Sequence, residues 1–364
     1  MSLLSSKSKV PEGGDVSDII SSYKSSRLTK IVGLLVFLVI MLICAGYQMG
    51  RAGAYPIDIG RAYEVFFDHL FHWNDGYTSL DMRVIWQMTV PRVAMAIFGG
   101  AALGACGAAM QSMLKNPLAD PYTTGISSGA SFGATIAIIY GFALVSSDYG
   151  IVINAFIFAL IPALVIVVLS TIKKTSATSM ILAGISVMYI FNALTSFIML
   201  YADETAKSAA YDWTIGTLSK ATLSNIPIVL LFTIAGCIFI TYMTKYLNAM
   251  NSGDSYAKTI GVNVGRIRII LLVAISLIAA AVVSFTGIIG FVGLVGPHMA
   301  RILLGSDNKF LIPGSMICGA TLLLVADILS SMFTSTALPV GIITAIIGGP
   351  VFLLLILRQK KERW

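Results

Sequence analysis

Charged residues are scarce in this sequence. Of its 364 residues, 11% are Asp, Glu, Lys or Arg, whereas 57% are hydrophobic. Soluble domains usually carry about 25% charged residues. Crossing a bilayer takes roughly 20 mostly apolar residues, and runs of that length recur along the whole chain. The composition therefore excludes a soluble domain and indicates an integral membrane protein.

Three further absences narrow the class. The four Cys all lie in apolar runs, so we expect small core residues and neither a disulfide set nor a metal site. The runs show no alternation of period two, which a membrane β-barrel requires. No G-x-x-x-x-G-K-[ST] motif occurs, so this chain has no P-loop of its own for nucleotide phosphates.

Long apolar runs are what the sequence has instead. Because backbone groups in lipid must be satisfied within the segment, the runs predict helices, and the fold class is all-α and polytopic with ten transmembrane helices. The runs are 31–49, 93–113, 122–143, 151–170, 179–200, 227–247, 267–286, 288–304, 311–332 and 339–357. Residues 1–30 are predicted to be a disordered cytoplasmic tail, 31–357 the membrane domain and 358–364 a basic cytoplasmic tail.

The distribution of Lys and Arg predicts the orientation. With the N-terminus inside, 18 of the 24 Lys and Arg fall in cytoplasmic segments. The six on the outside are Arg51, Arg61, Arg83, Arg92, Lys207 and Lys220. Cytoplasmic loops of membrane proteins carry this excess. Both termini are therefore predicted to be cytoplasmic, and the net charge of +7 needs no nucleic-acid partner.

Two short motifs resemble a hydrolase nucleophile and a metal site, but the sequence around each motif favours neither function. "GISSG", Gly125 to Gly129, matches the nucleophile elbow of hydrolases, but an elbow needs a strand before the turn and this motif opens a membrane helix. "DHLFHWND" places His69 and His72 near two Asp. A solvated outer loop is the favoured interpretation of this second motif, and metal binding is the alternative.

One polar stretch predicts a rigid turn between the second and third helices. In "QSMLKNPLADPYTTGISSGASFGA", Asn116 and Asp120 each precede a proline, which disfavours the helical conformation. Asp120 can then cap the next helix, with Pro121 at its first position. The Gly, Ala and Ser residues that follow permit close approach of helices.

Three motifs in register carry a family resemblance. "NPLADP…TTGISSGASFGA", "GLVGPHMAR" and "LPVGIITAIIGGP" closely resemble the FecCD family of ABC importer permeases, and the resemblance covers about residues 30 to 358. It implies a type II importer permease with ten helices per subunit. It also implies a second permease subunit (an identical copy or a close paralogue), two ATPase subunits that hold ATP and Mg, and an extracytoplasmic binding protein. The permease itself would be no enzyme and would bind no cofactor.

The resemblance assigns a role to the polar segment 248–266 between helices six and seven. In the family this segment contains the coupling helices that dock on the ATPase. It would place ATPase coupling at Gly253, Asp254, Ser255, Ala257 and Gly261. Ala257 and Gly261, four residues apart, are predicted to share the contact face. The Glu that the family has two residues before the Ala is Ser255 here, and a solvated loop is the alternative.

Further roles follow from the resemblance, residue by residue. Thr178 and Ser179 would form a cytoplasmic gate, with an ordinary helix N-cap as the alternative. The pathway would be lined by Asn192, Thr195, Ser196, Thr344 and Gly348. Arg92 would hold an acid of the binding protein, helped by Arg83 or Arg61, because two other docking Arg of the family are Thr89 and Ser331 here. Asp327, a bare acid within a span, is expected to bond a neighbouring helix or to be neutral, in a structural role.

The cargo that the resemblance implies is an iron chelate, in the first place a ferric siderophore. Cobalamin, haem and molybdate are alternatives within the family. From another class, an ion-coupled secondary transporter is disfavoured, because Asp327 is nearly alone as an acid within the spans and the coupling segment would have no purpose.

Overall fold

A computed structural model of the chain describes residues 16–52, 55–72, 78–147, 149–172, 176–333 and 338–358. Most of these residues are helical. A two-residue antiparallel pair, β1 (Arg51–Ala52) with β2 (Tyr55–Pro56), forms the strands of this part of the chain. A π-helical stretch, Arg83–Thr89, and a 3-10 helix, Pro121–Thr124, add to the α-helices.

The α-helices follow in chain order. They are α1 (Val16–Met49), α2 (Ile59–Phe71), α3 (Ser79–Met82), α4 (Val90–Leu114), α5 (Ile126–Tyr140), α6 (Gly150–Ile172), α7 (Ala177–Leu200), α8 (Glu204–Thr214), α9 (Ile226–Tyr242), α10 (Thr244–Asn251), α11 (Asp254–Thr259), α12 (Val264–Thr286), α13 (Val292–Leu304), α14 (Asn308–Phe333) and α15 (Val340–Arg358).

The all-α prediction is confirmed, while the count of ten crossings stays a prediction. Among the residues that the structure describes, six helical stretches are long and apolar enough to cross a membrane, or up to seven if the bent pair α9–α10 is one span. Three shorter apolar helices, α5, α13 and the first part of α15, coincide with the remaining predicted runs. Each run therefore has its helix. Helices α5 and α13, with 15 and 13 residues, fall short of the length that a crossing takes, whereas the whole of α15 has 19 residues.

The N-terminal boundary differs from the sequence-based expectation. Helix α1 begins at Val16, so residues 16–30 of the predicted tail are helical. Residues 1–15 and the C-terminal residues 359–364 lie outside the described part of the chain.

Helix α4 forms the centre of the molecule. In the most apolar part of the stretch Leu80–Leu114, which contains α4, 83% of the residues are buried, against 67% in the corresponding parts of α12 and α14 and 6% in that of α1. Small side chains permit this, because a Cβ at Gly107 would lie 1.9 Å from the carbonyl oxygen of Gly293 in α13. Small residues let helix backbones approach closely in membranes, and here they let several helices pack around α4.

The predicted rigid turn after α4 is confirmed. Asp120 has extended backbone and accepts a hydrogen bond from the backbone N–H of Tyr122 at 2.8 Å, with Pro121 next in the chain. Thr123 completes a capping box. The turn leads through the 3-10 helix and Gly125 into α5, so the "GISSG" motif follows a helical turn here and not the strand that a hydrolase elbow needs.

Backbone hydrogen bonds join the start of α15 to two non-helical segments of the chain, one at Gly216 and one at Ile288. The N–H of Gly216 donates to the carbonyl of Ile288 at 3.1 Å, and the N–H of Gly341 donates to the carbonyl of Gly216 at 2.8 Å. A Cβ at Gly341 would lie 2.9 Å from the Ile288 oxygen. Irregular backbone in a membrane protein is tolerated where protein buries it in this way.

Candidate functional site

The predicted coupling segment folds as the end of α10, the six-residue helix α11 and the first turn of α12. Helix α10 is bent by 54° from α9, so the chain leaves the direction of the span before α11 begins. Gly253, with φ +131°, precedes α11 in a backbone conformation that side chains rarely adopt. A glycine at this position makes the change of direction possible.

Ala257 and Gly261 do not share an exposed contact face, so that expectation is wrong. Ala257 is fully buried against the interior of its own chain. Gly261 has φ +85° and ends α11 in a Schellman arrangement. The N–H of Val262 donates to the carbonyl of Ala257 at 2.9 Å, and the N–H of Gly261 donates to that of Lys258 at 3.0 Å. The spacing of the two residues therefore serves the folding of α11.

The exposed face of α11 carries a different pair. Tyr256 and Ile260 are 53% and 54% exposed and lie one helical turn apart. Ser255 beside them is also exposed. Sequence reasoning missed this pair, although two large apolar residues at i and i+4 in a polar segment are a signal for a partner surface.

Asp254 at the start of α11 is bonded to the membrane domain. Its carboxylate accepts hydrogen bonds from Arg268 Nη2 of α12 at 3.1 and 3.2 Å, and Lys115 Nζ lies 3.6 Å away. Partial burial raises the pKa of the Asp254 carboxyl, but the hydrogen bond and charge of Arg268 and the charge of Lys115 outweigh it, and the pKa lies below its ordinary value. The carboxylate is therefore ionised at neutral pH.

The predicted gate residues lie in the first turn of α7. Thr178 and Ser179 are both exposed. The N-cap is Ser176, whose hydroxyl oxygen accepts from the backbone N–H of Ser179 at 3.2 Å. The capping function that was the alternative explanation thus belongs to Ser176, and the gate role of Thr178 and Ser179 stays a prediction.

The predicted pathway residues separate into two groups. Asn192 and Ser196 lie on the exposed side of α7. Thr195 and Thr344 are buried inside the chain, and Thr344 donates to the carbonyl of Gly341 at 3.0 Å. Gly348 is also buried, since a Cβ there would lie 2.4 Å from the Cβ of Phe291. Thr195, Thr344 and Gly348 therefore pack helices together and do not line an open surface of this chain.

Arg92 and Asp327 form a buried ion pair between α4 and α14. Arg92 Nη2 lies 2.7 Å from Asp327 Oδ1, and Arg92 Nε lies 2.8 Å from both carboxylate oxygens. Gln48 Nε2 of α1 donates to the same carboxylate at 2.6 Å. Asp327 is fully buried, and its expected bond to a neighbouring helix is confirmed. The Arg92 side chain is 17% exposed, so the predicted docking residue is engaged within its own chain.

The other basic residues near this end of α4 are more accessible. Arg83, in the π-helical stretch, is exposed, whereas Arg61 of α2 bonds Glu64 at 3.0 Å and Asp81 at 3.4 Å. Thr89 is buried and donates its hydroxyl to the Met49 carbonyl at 3.0 Å. Arg83 is therefore the best placed of the three predicted docking residues.

The histidine motif is helical and not a loop over the residues described. His69 lies in α2, with its ring 4.5 Å from that of Trp86, and His72 caps the end of this helix with φ 55°. Within the described part of the chain, no group of three or more His, Cys, Asp or Glu is placed to hold a metal ion. Asp75 lies outside the described residues.

The sequence matches the model of the FecCD transport family over residues 34–358. It is 38% identical to a putative ABC transporter permease protein of Methanocaldococcus jannaschii over 95% of this chain and 99% of the relative. It is 32% identical to a hemin transport system permease protein of Yersinia pestis, over 91% and 97%. A cobalamin import system permease protein of Halobacterium salinarum is 36% identical, over 77% and 74%.

A solved structure agrees with the fold. It is described as an inward-facing conformation of a putative metal-chelate type ABC transporter, and it superposes with a TM-score of 0.79 at 26% identity. The match covers 89% of this chain and 98% of the other.

Proposed function

This chain belongs to the FecCD transport family of ABC importer permeases, and we propose that the cargo it carries across the cytoplasmic membrane is an iron chelate, specifically a ferric siderophore. The permease is a multi-pass membrane protein and not itself an enzyme. Its relatives are named for hemin, iron chelate and cobalamin, and its structural neighbour for a metal chelate. Cobalamin and haem are therefore the competing cargoes.

The observation that carries the proposal is the exposed side of α7. It bears Ser186, Asn192 and Ser196, and the whole helix from Ala177 to Leu200 contains no charged residue. Polar groups within a span usually face a protein partner or a cavity and not lipid. An uncharged surface, with small polar groups among exposed apolar side chains such as Tyr189 and Phe197, suits a bulky metal–organic cargo that must pass without being held.

The remaining parts of the proposed importer follow from this surface and from α11. A second copy of the chain would close the pathway by presenting its own α7. Tyr256 of α11 and Ile260, which follows its last residue, would contact the ATPase partner, which binds ATP and Mg. An extracytoplasmic binding protein would deliver the cargo near Arg83, where an exposed positive charge can attract an acidic surface.

Transport by the reconstituted complex tests the cargo. The permease, its ATPase and its binding protein are placed in liposomes with ATP on the ATPase side, and uptake of a radioactive-iron hydroxamate siderophore, haem and cobalamin is compared. We expect ATP-dependent uptake of the iron siderophore and much slower uptake of the other two.

A pair of matched variants ties uptake to α7. Asn192→Trp should block uptake of the transported cargo, while Leu164→Trp, at an exposed apolar position of α6 (62% exposed), should not. Uptake of cobalamin or haem in place of the siderophore would contradict the proposed cargo. Equal uptake by both Trp variants and the unmodified chain would contradict the α7 pathway.

A further inference from the structure

The segment that carries α11 is fastened to the membrane domain on its N-terminal side by a chain of amide hydrogen bonds. Asn248 of α10 accepts at Oδ1 from the backbone N–H and the Nδ2 of Asn308, at 2.9 and 2.8 Å. Asn308, fully buried at the start of α14, accepts in turn from the hydroxyl of Ser112 in α4 at 2.8 Å. Asn248 also donates to Asp307 at 2.8 Å. We call this chain of bonds the amide anchor.

The same segment is also fastened by charge, at the first residue of α11. Asp254 bonds Arg268, whose side chain is 5% exposed, and lies beside Lys115, which caps the end of α4 with φ 50°. Nη2 of Arg268 also lies 3.5 Å from the carbonyl oxygen of Met113. We call this set the ionic anchor.

Both anchors end on the last turn of α4. The amide anchor reaches Ser112, and the ionic anchor reaches Met113 and Lys115. Helix α4 is also the most buried long helix among the candidate spans described. The two anchors thus connect α11 to the centre of the molecule and not to its exposed helices.

Helix α11 has little means of holding its own orientation. It contains six residues, and isolated helices much shorter than about 12 residues are marginal in water. Ala257 gives it one buried apolar contact, and Gly253 allows the chain before it to rotate. The direction in which Tyr256 and Ile260 point therefore depends on the anchors.

We propose that the last turn of α4, Ser112 to Lys115, is where movement of the ATPase enters the membrane domain, and that Asn248 and Asp254 are the positioning residues that connect α11 to it. This inference rests on the proposed function, since it assumes that α11 meets an ATPase. The amide anchor, buried at Ser112 and Asn308, supplies a fixed pivot. The ionic anchor, with Asp254 and Lys115 each near 40% exposed, is screened by salt.

The experiment uses the full-length permease in nanodiscs, first alone and then with its ATPase and binding protein. The variants are Asp254→Asn, Asn248→Ala and the double variant, with Asp254→Glu as the conservative exchange. Asp212→Asn, at an exposed acid of α8, is the matched control. Hydrogen exchange of the amides of 254–262 is measured on the permease alone, and cargo transported per ATP hydrolysed is measured on the complex.

We expect exchange of 254–262 to become roughly tenfold faster in each single variant, which corresponds to about 1.4 kcal/mol, and faster still in the double variant. The cargo transported per ATP hydrolysed should fall several-fold in both single variants, Asp254→Asn and Asn248→Ala. It should recover in Asp254→Glu. High salt should lower cargo per ATP in the unmodified complex and have no further effect in Asp254→Asn. The Asp212→Asn control should match the unmodified chain.

Unchanged exchange in Asp254→Asn would overturn the inference, and that variant decides alone if Asn248→Ala does not fold. Faster exchange with unchanged cargo per ATP would also overturn it, because the anchors would then be structural only. If the unmodified complex shows no ATP-driven transport, the proposed function fails, while the exchange data still decide whether the anchors hold α11.

Discussion

The ion pair of Arg92 and Asp327 shows how a single residue can change its expected role once its surroundings are known. The sequence places Arg92 at an outer helix end, where a docking role is reasonable, and gives Asp327 no partner in its own helix. The structure joins them at 2.7 Å across α4 and α14. A buried charge without its partner is costly, so each residue now explains the presence of the other.

Removing one partner should therefore destabilise the protein. We expect Asp327→Ala to lower the free energy of unfolding by about 3–5 kcal/mol, the usual cost of leaving a buried charge unpaired. The double variant Arg92→Met with Asp327→Leu should recover most of this loss, although the Gln48 amide loses its acceptor. Thermal unfolding of the purified permease measures both effects.

The double variant also separates stability from docking. If Arg92 contacts the binding protein, the double variant should bind it more weakly than the unmodified chain, most clearly at low salt. A stable double variant with unchanged affinity would remove Arg92 from the docking surface and leave Arg83. Equal unfolding temperatures for Asp327→Ala and the unmodified chain would show that the pair contributes nothing.

At the scale of an element, α11 shows that residue spacing alone does not identify the face that a helix exposes. Ala257 and Gly261 are four residues apart and were expected on one outer face. One packs inward and the other ends the helix, while Tyr256 and Ile260 point outward. The difference arises because burial of Ala257 beneath α11 fixes the rotation of this helix.

Substitutions on the two sides of α11 should therefore have opposite effects. Tyr256→Ser with Ile260→Ser should leave folding intact and weaken ATPase association, because exposed apolar area is lost from the partner surface. Ala257→Trp should instead disturb the permease itself, since overpacking a buried site typically costs about 1–3 kcal/mol. Co-purification of the ATPase and thermal unfolding of the permease alone distinguish the two effects.

The opposite pattern of results would show that the ATPase contacts Ala257 and not Tyr256 and Ile260. That pattern is normal ATPase retention by the serine double variant, together with a stable Ala257→Trp permease that loses its ATPase.

At the scale of the whole molecule, the orientation in the membrane rests on the distribution of Lys and Arg. We expect a single Cys at Lys258 to react with a membrane-impermeant thiol reagent only from the cytoplasmic side, and one at Lys207 only from the outside, because cytoplasmic loops carry the excess positive charge. The four native Cys, three of them buried, are first replaced. Labelling of intact cells and of inverted vesicles makes the measurement.

Labels at His69 and Lys173 extend the same test to the first and fourth connections between the predicted helices. Labels at Lys258 and Lys173 are expected to react only from the cytoplasmic side, and labels at Lys207 and His69 only from the outside. A label that reacts from the other side would contradict the helix count. If the labels at His69 and Lys173 lie on the same side, the short helix α5 between them does not cross the membrane.

The sequence by itself determined the class, the family and the positions of the helices. A segment that lies in lipid must be apolar and must satisfy its own backbone groups. Membrane helices can therefore be recognised from the residues of each segment alone. Local signals were equally reliable where their effect is local, as in the cap that Asp120 places before Pro121.

Tertiary structure alone decided which residues face a partner and which face the interior. Nothing in the sequence pairs Gln48, Arg92 and Asp327, because they lie on three helices far apart in the chain. Nor does it reveal that Ser112, Asn308 and Asn248 form one chain of bonds. In a helix that is apolar on all sides, composition does not mark a face, so the rotation of each helix is set by the packing of its neighbours.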